Sequence, residues 1–282
     1  MIKAKKSLGQ NFLSDPRIAR RIIDTVAPQP TDLIIEIGPG TGALTRMLAE
    51  SAGRVLAVEI DPRLIDELRR GIKADNLSII EADALAANWV ELIRTASRPW
   101  RSRTPQPGEP RVRVVANLPY YISTPIIERL IALRERLFDL TLMLQKEVVE
   151  RIASAPGSRD YGYLSVLVQY YCVARKLFEV PPSAFRPAPK VNSAILHLKM
   201  REQPAVAVTD EARFFALVRA AFAQRRKTIL NNLKAAMPAL HFTQAPETAL
   251  RDAGIEPQRR AETLSLDEFS ALSHALWSKD EG

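Results

Sequence analysis

Residues 36–45 read EIGPGTGALT, and this stretch decides the fold. It follows the apolar, β-branched run 33–37 and precedes an amphipathic stretch at 43–51, so it is a turn from strand to helix. Gly38, Gly40 and Gly42 permit positive φ angles and let a ligand come close to the backbone. The helix that follows offers free N–H groups at its N-terminus.

The same alternation runs outward from this turn. Apolar runs at 54–60, 77–81, 112–116 and 140–144 are each followed by a helical pattern, at 62–72, 88–96, 125–136 and 147–153. Strands separated by helices of that length make βαβ units and a mostly parallel sheet. Two further runs, 172–180 and 193–200, have only a short proline-rich segment between them. They are expected as an antiparallel pair closing the sheet. After Met200 the texture changes: a linker leads to helical patterns at 211–227, 227–237, 247–253 and 266–277. The expected architecture is therefore α/β, with a Rossmann-like domain over 1–200 and a small α-helical domain over 201–282. The segment 98–113, rich in proline and arginine, is expected as an exposed loop before the fourth strand of the sheet.

Composition narrows the class. The chain has 282 residues, 46% hydrophobic and 26% charged, as is ordinary for a globular protein. No apolar run is long enough to cross a membrane, so no membrane association is expected. A single cysteine, Cys172, rules out an internal disulfide framework and fits a reducing, cytoplasmic setting. His197, His241 and His274 are far apart in sequence, which gives no metal-ligand pattern. The net charge is +8, and residues 1–199 hold all of the excess, with 29 Lys+Arg against 21 Asp+Glu. Residues 200–282 carry 11 of each. A surplus confined to one part suits a polyanionic partner. Lys3, Lys5 and Lys6 form a basic arm, and Arg225, Arg226 and Lys227 are expected within a helix of the smaller domain.

The turn reads G-x-G-x-G after an acidic residue, where a dinucleotide-binding turn would read G-x-G-x-x-G. This spacing is that of S-adenosylmethionine-dependent methyltransferases rather than dehydrogenases. The next strand ends at Glu59, where a carboxylate can accept hydrogen bonds from both ribose hydroxyls. The strand after it leads to Asp83, which can accept from an exocyclic adenine amine. Across the same crevice the strand VVAN stops at Asn117-Leu118-Pro119-Tyr120, because Pro119 cannot continue the ladder. The side-chain oxygen of Asn117 and the carbonyl of Leu118 can take both N–H groups of an adenine amine. Tyr120 can stack on the base and fix its plane.

With KKSLGQNFL, VEID, EADAL, NLPYYIS, LMLQKEVVERI, VPPSAFRPAPKVNSAI and AFAQRRKTILNNL added, nearly the whole chain resembles the ribosomal small-subunit adenine dimethyltransferases. The resemblance implies transfer of four methyl groups from S-adenosylmethionine to two adjacent adenines near the 3′ end of 16S ribosomal RNA, with a role in subunit maturation. It also implies that Asn11 and Leu13 line the cofactor pocket with Gly38, Glu59, Asp83 and Asn117, and that Phe185 is a second aromatic against the target base. Small-subunit RNA is the implied partner, and a monomer without metal is the implied state. Two positions depart from the family pattern: Tyr121 stands where Asn is commoner, and Asn192 where Asp is commoner. The alternatives are a 23S ribosomal RNA dimethyltransferase of the antibiotic-resistance type, an adenine DNA methyltransferase, and a ribosome-assembly factor that works mainly by binding.

Overall fold

The computed structural model describes residues 3–101 and 111–278. By contact density the chain divides into two compact units, residues 1–149 with 175–200, and residues 150–174 with 201–282. The expected boundary at residue 200 is therefore incomplete, because 150–174 leave the first domain and pack with the helices that follow.

The first unit begins with a short strand β1 (Phe12–Leu13) and helix α1 (Pro16–Val26). The sequence reading passed over α1, although Asp15 caps it and Pro16 occupies its first turn. A βα alternation then follows: β2 (Leu33–Ile37), α2 (Thr45–Ser51), β3 (Arg54–Glu59), α3 (Pro62–Gly71), β4 (Leu77–Glu81) and α4 (Trp89–Arg101). Next come β5 (Val112–Asn117), α5 (Ser123–Ile131), β6 (Asp139–Gln145) and α6 (Lys146–Ala153). The helix expected at 88–96 thus runs on to Arg101, so the first residues of the expected loop are helical. The rest of that segment, 102–110, lies outside the described residues.

Helix α7 (Tyr163–Tyr171) precedes β7 (Cys172–Val180), β8 (Phe185–Arg186) and β9 (Ser193–Met200). The seven-stranded sheet has the order β4-β3-β2-β5-β6-β9-β7. Pairings from β4 through β6 are parallel, and β9 is antiparallel to β6. The antiparallel closure was expected, and the structure shows β9 inserted between β6 and β7. The small strands β1 and β8 pair separately, with Leu13 opposite Phe185. Strand β2 is buried at every position, as a central parallel strand requires.

One charged residue lies inside this apolar sheet. Arg113, in β5, makes two bonds to Asp139 at the start of β6, of 2.8 and 2.7 Å, and one of 3.1 Å to Asp32 just before β2. His197 of β9 is 3.1 Å from the same Asp139, and Arg111 reaches Asp32. Burial works to raise the Asp139 pKa, but the His197 and Arg113 hydrogen bonds win and hold it below the usual carboxylate range.

The second unit is helical: α7, α8 (Glu211–Ala221), α9 (Ile229–Leu240), α10 (Pro246–Asp252) and α11 (Leu266–Trp277). Its core includes Tyr170, Phe214, Phe215, Leu217 and Phe269, and the Tyr170 and Phe214 rings lie 5.2 Å apart. Helix α7 was missed because it is apolar all round and carries no amphipathic stripe to distinguish it from a strand. Arg225, Arg226 and Lys227 are not mid-helix. They lie in the turn between α8 and α9, because Asn232 Nδ2 donates to the carbonyls of Ala221 and Gln224, closing the end of α8. Thr228 then caps α9. Arg225 donates to the carbonyls of Arg159 and Tyr161.

Replacing Asp139 by Ala leaves a buried guanidinium with half of its partners. The expected cost is about 3–5 kcal/mol, read as a lowered urea midpoint of the full chain.

Candidate active site

All the expected site residues gather at one place. The carboxyl ends of β2, β3, β4 and β5 open on a crevice lined by residues 8–13, the glycine turn, Glu59, residues 82–85, 117–122 and Phe185. The strand order reverses between β2 and β5, and such a switch point is where open α/β sheets bind ligands. The free space of this crevice, open mouth included, is about 1210 Å³.

The glycine turn is built as the sequence requires. Gly38, Gly40 and Gly42 have φ of 68, 57 and 83°, conformations that side-chain-bearing residues rarely adopt. Space adds a second constraint at Gly42, where a Cβ would stand 2.8 Å from Leu68. At Gly40 it would stand 3.1 Å from the Phe12 ring, so the turn and β1 fit closely.

Two acidic side chains lie beneath this turn. Glu59 is 5% exposed; its Oε1 accepts from the N–H groups of Ile60 and Asp61, each at 2.9 Å, and its Oε2 from Gly40 at 3.3 Å. Burial raises its pKa, and those three backbone bonds oppose the rise. Glu36, the acidic residue that opens the motif, is fully buried, and its pKa is pushed up to about 8, first by burial and further by the Glu59 charge. The nearby Thr45 hydroxyl opposes that rise. Even so, Glu36 Oε2 and Thr45 Oγ1 are both buried without a partner at ordinary hydrogen-bond geometry. Asp83 is exposed at the crevice edge, where its Oδ1 accepts from Leu85 N–H at 2.8 Å.

On the opposite wall Asn117 ends β5. Its Nδ2 donates to the backbone carbonyl of Asn11 at 3.0 Å, which orients the amide and leaves Oδ1 as the atom offered to a ligand. Asn11 Nδ2 bonds the Gly9 carbonyl. Leu118 is buried and donates its N–H to Met143. No donor among the described residues takes the Leu118 carbonyl. Tyr120 is half-buried, with its hydroxyl 2.9 Å from Ser193 Oγ. Leu13 and Phe185 face each other across the β1–β8 pair. Phe185 lines the crevice but is 1% exposed and packs in the hydrophobic core. Its ring is thus a wall of the pocket, not a free face.

The residue that sequence reasoning missed is Asp61. It caps α3 and binds Arg63 at 2.7 Å, Lys5 at 3.1 Å and Gln10 Nε2 at 3.2 Å. Those contacts, Arg63 first, hold its carboxyl well below the usual range. Lys5 is therefore tied down rather than projecting as part of a basic arm. The D-P pair after the β3 carboxylate gave the helix cap, but nothing local connected it to residues more than fifty positions away.

A Rossmann-like sheet with a G-x-G-x-G turn, an acid at the end of the next strand and an Asn-Leu-Pro-Tyr strand end across the crevice defines a nucleoside-cofactor methyltransferase. Residues 1–276 match the model of the ribosomal RNA adenine dimethylase family, and the chain belongs to that family. Among curated relatives, the ribosomal RNA small subunit methyltransferase A of Geobacillus sp. (strain WCH70) is 47% identical, with 96% of this chain and 91% of the relative covered. The protein of that name from Geobacter metallireducens is 46% identical, over 98% and 96%. Among solved structures, a dimethyladenosine transferase from Plasmodium falciparum superposes with a TM-score of 0.72 at 28% identity, covering 93% of this chain and 95% of that one. The 23S rRNA methyltransferase ErmE gives 0.66 at 26%, covering 94% and 99%. No helix among the described residues is long and apolar enough to cross a membrane. No group of potential metal ligands occurs among them.

Glu36 sets a pH dependence. The unfolded carboxyl ionises near 4.5 and the folded one at about 8, so between these values the native state holds the extra proton. Stability from this group is complete below the lower value and falls as pH rises through the window, at up to about 1.4 kcal/mol per pH unit. Glu36→Gln is expected to flatten that fall, checked by urea midpoints of both proteins from pH 5 to 8.

Proposed function

We propose that this chain transfers methyl groups from S-adenosylmethionine to the N6 amines of two adjacent adenosines near the 3′ end of 16S ribosomal RNA, in the precursor of the small ribosomal subunit. The observation that carries this reading is the Asn117–Asn11 bond. It turns Asn117 Oδ1 toward the crevice beside a Leu118 carbonyl that no internal donor occupies. Relatives of 46–47% identity named as small-subunit enzymes support it over the 23S type, which is represented at 26%.

The residues present suit the cofactor. Glu59, held by three backbone donors, would accept from the ribose hydroxyls, and Asp83 from the adenine amine. The glycine turn leaves room for a close approach to the backbone. When bound, the cofactor supplies an electrophilic methyl group on a cationic sulfur, and with it a good leaving group. Asn11 and Leu13 close the pocket from the arm side, and Gly38 and Asn117 complete it.

The protein's own contribution is positioning. An adenine amine is a weak nucleophile because its lone pair is delocalised into the ring. Asn117 Oδ1 and the Leu118 carbonyl accept its two N–H bonds, which orients the lone pair and favours a tetrahedral nitrogen. Tyr120, steadied by Ser193, stacks on the base. Phe185 bounds the pocket from the core side. After the first transfer one N–H remains, and either acceptor can hold it. The helical unit, with the exposed Arg226 and Lys227, contributes phosphate contacts to the same RNA. The enzyme acts as a monomer in the cytoplasm.

Asn117→Ala is expected to lower methylation of undermethylated small subunits about a hundredfold, while affinity for S-adenosylmethionine falls less than about tenfold. The assay uses labelled cofactor, with particles, naked 16S RNA, 23S RNA and DNA side by side. Full activity of the variant, or preferential labelling of 23S RNA or DNA, overturns the assignment.

A further inference from the structure

Tyr121 has no task in the chemistry above. It follows Tyr120 in a 3-10 turn, Tyr120–Ile122, and in such a turn successive side chains point about 120° apart. The two rings accordingly differ. Tyr120 is half-buried with its hydroxyl on Ser193, whereas Tyr121 lines the same crevice and is 62% exposed, the largest exposure of any big apolar side chain among the described residues. A free aromatic of that size is an unusual surface feature, because an aromatic ring gains more from burial than most side chains do.

The ring is also supported from behind. Gly9 has a φ of 58°, and a Cβ there would stand 3.2 Å from Cδ1 and Cε1 of Tyr121. The missing side chain at Gly9 is what lets the ring lie against the backbone. That backbone is itself fixed: the Gly9 carbonyl takes Asn11 Nδ2, and Gln10 is tied to Asp61 and to the Lys5 N–H. One side of the ring thus rests on a braced turn, and the other faces solvent at the mouth of a crevice that receives a base.

A base drawn into a pocket leaves its neighbour without a stacking partner, at a cost of a few kcal/mol. A flat, apolar surface at the pocket mouth offsets that cost, and base–aromatic stacking is of the required size. We infer that Tyr121 is a binding platform for the purine adjacent to the target, so that one adenine lies against Tyr120 in the crevice while its neighbour stacks on Tyr121. This rests on the methyltransferase reading above and extends it to a second base subsite. It also gives the neighbour a waiting position one nucleotide from the pocket, which suits an enzyme that must modify both.

The test measures steady-state methylation of undermethylated small subunits by the full chain and its Tyr121→Phe, Tyr121→Leu and Tyr121→Ala variants. Mass analysis of nuclease digests counts methyl groups on each adenosine, and cofactor affinity is measured separately by calorimetry. Tyr121→Ala and Tyr121→Leu are expected to raise the KM for particles about tenfold with kcat lowered far less. Products methylated on only one of the two adenosines should accumulate, and affinity for S-adenosylmethionine should stay within about twofold. Tyr121→Phe, which keeps the flat ring, should rescue the KM. The platform is overturned if Leu serves as well as Tyr, since bulk against Gly9 would then be the whole role. It is overturned equally if Ala weakens cofactor affinity in step with particle affinity, or if Ala completes both adenosines at the wild-type KM. If the wild-type chain adds no methyl group to adenosine in particles, the functional reading itself has failed and the platform falls with it.

Discussion

The central sheet depends on a charge held where charge is costly. Arg113 sits in β5 with apolar residues on either side, and its guanidinium joins Asp32 before β2 to Asp139 at the head of β6. Leaving any of the three unpaired would bury an uncompensated ion. Only the register in which β2, β5 and β6 start level satisfies all of them, since a slip of one residue would turn the arginine to the other face. His197 extends the requirement to β9. Level starts at one end of the sheet favour level finishes at the other, where Glu36, Glu59 and Asn117 line one crevice.

The polar groups of the crevice are unevenly distributed among its apolar lining. The cofactor side holds two buried carboxyls whose pKa values are raised, a pair that a cation would stabilise by favouring their ionised forms. The substrate side has no ionisable acid or base in position, only an amide and a carbonyl with unused acceptor capacity. This division suits a reaction in which one ligand brings the charge and the other brings a neutral, reluctant nitrogen. Asp61 connects the two sides, because the arm it holds supplies both the Asn11 carbonyl that orients Asn117 and the Phe12 ring that meets the glycine turn.

Much of this was legible in the chain because the signals were local. The run LIIEI can only be a strand buried on both faces, and three glycines at alternate positions after it fix the turn. Glu59, Asp83 and Asn117 could be set at the crevice because each lies at or just past the end of such a run. What escaped was what depends on partners distant in sequence. Arg113 reads as an ordinary strand arginine until Asp32 and Asp139 are brought to it, and Asp61 reads as a helix cap alone. The helix Tyr163–Tyr171 carries no polar face, so no periodicity separates it from the strand that follows. Arg225 to Lys227 follow a helical pattern in the sequence, whereas Asn232, a buried residue of the next helix, donates to the carbonyls of Ala221 and Gln224 and ends the helix before them. Phe185 was read as a stacking face, and its burial follows from the β1–β8 pairing that two-residue strands do not announce.

Cys172, the one cysteine of the chain, is fully buried, and burial pushes its thiol up to about 12. At neutral pH almost none of it is thiolate, and the thiolate is the species that attacks alkylating reagents. The folded native chain is therefore silent toward such reagents. A cysteine introduced on any exposed position would carry a fluorophore or spin label alone, with no need to remove the natural one.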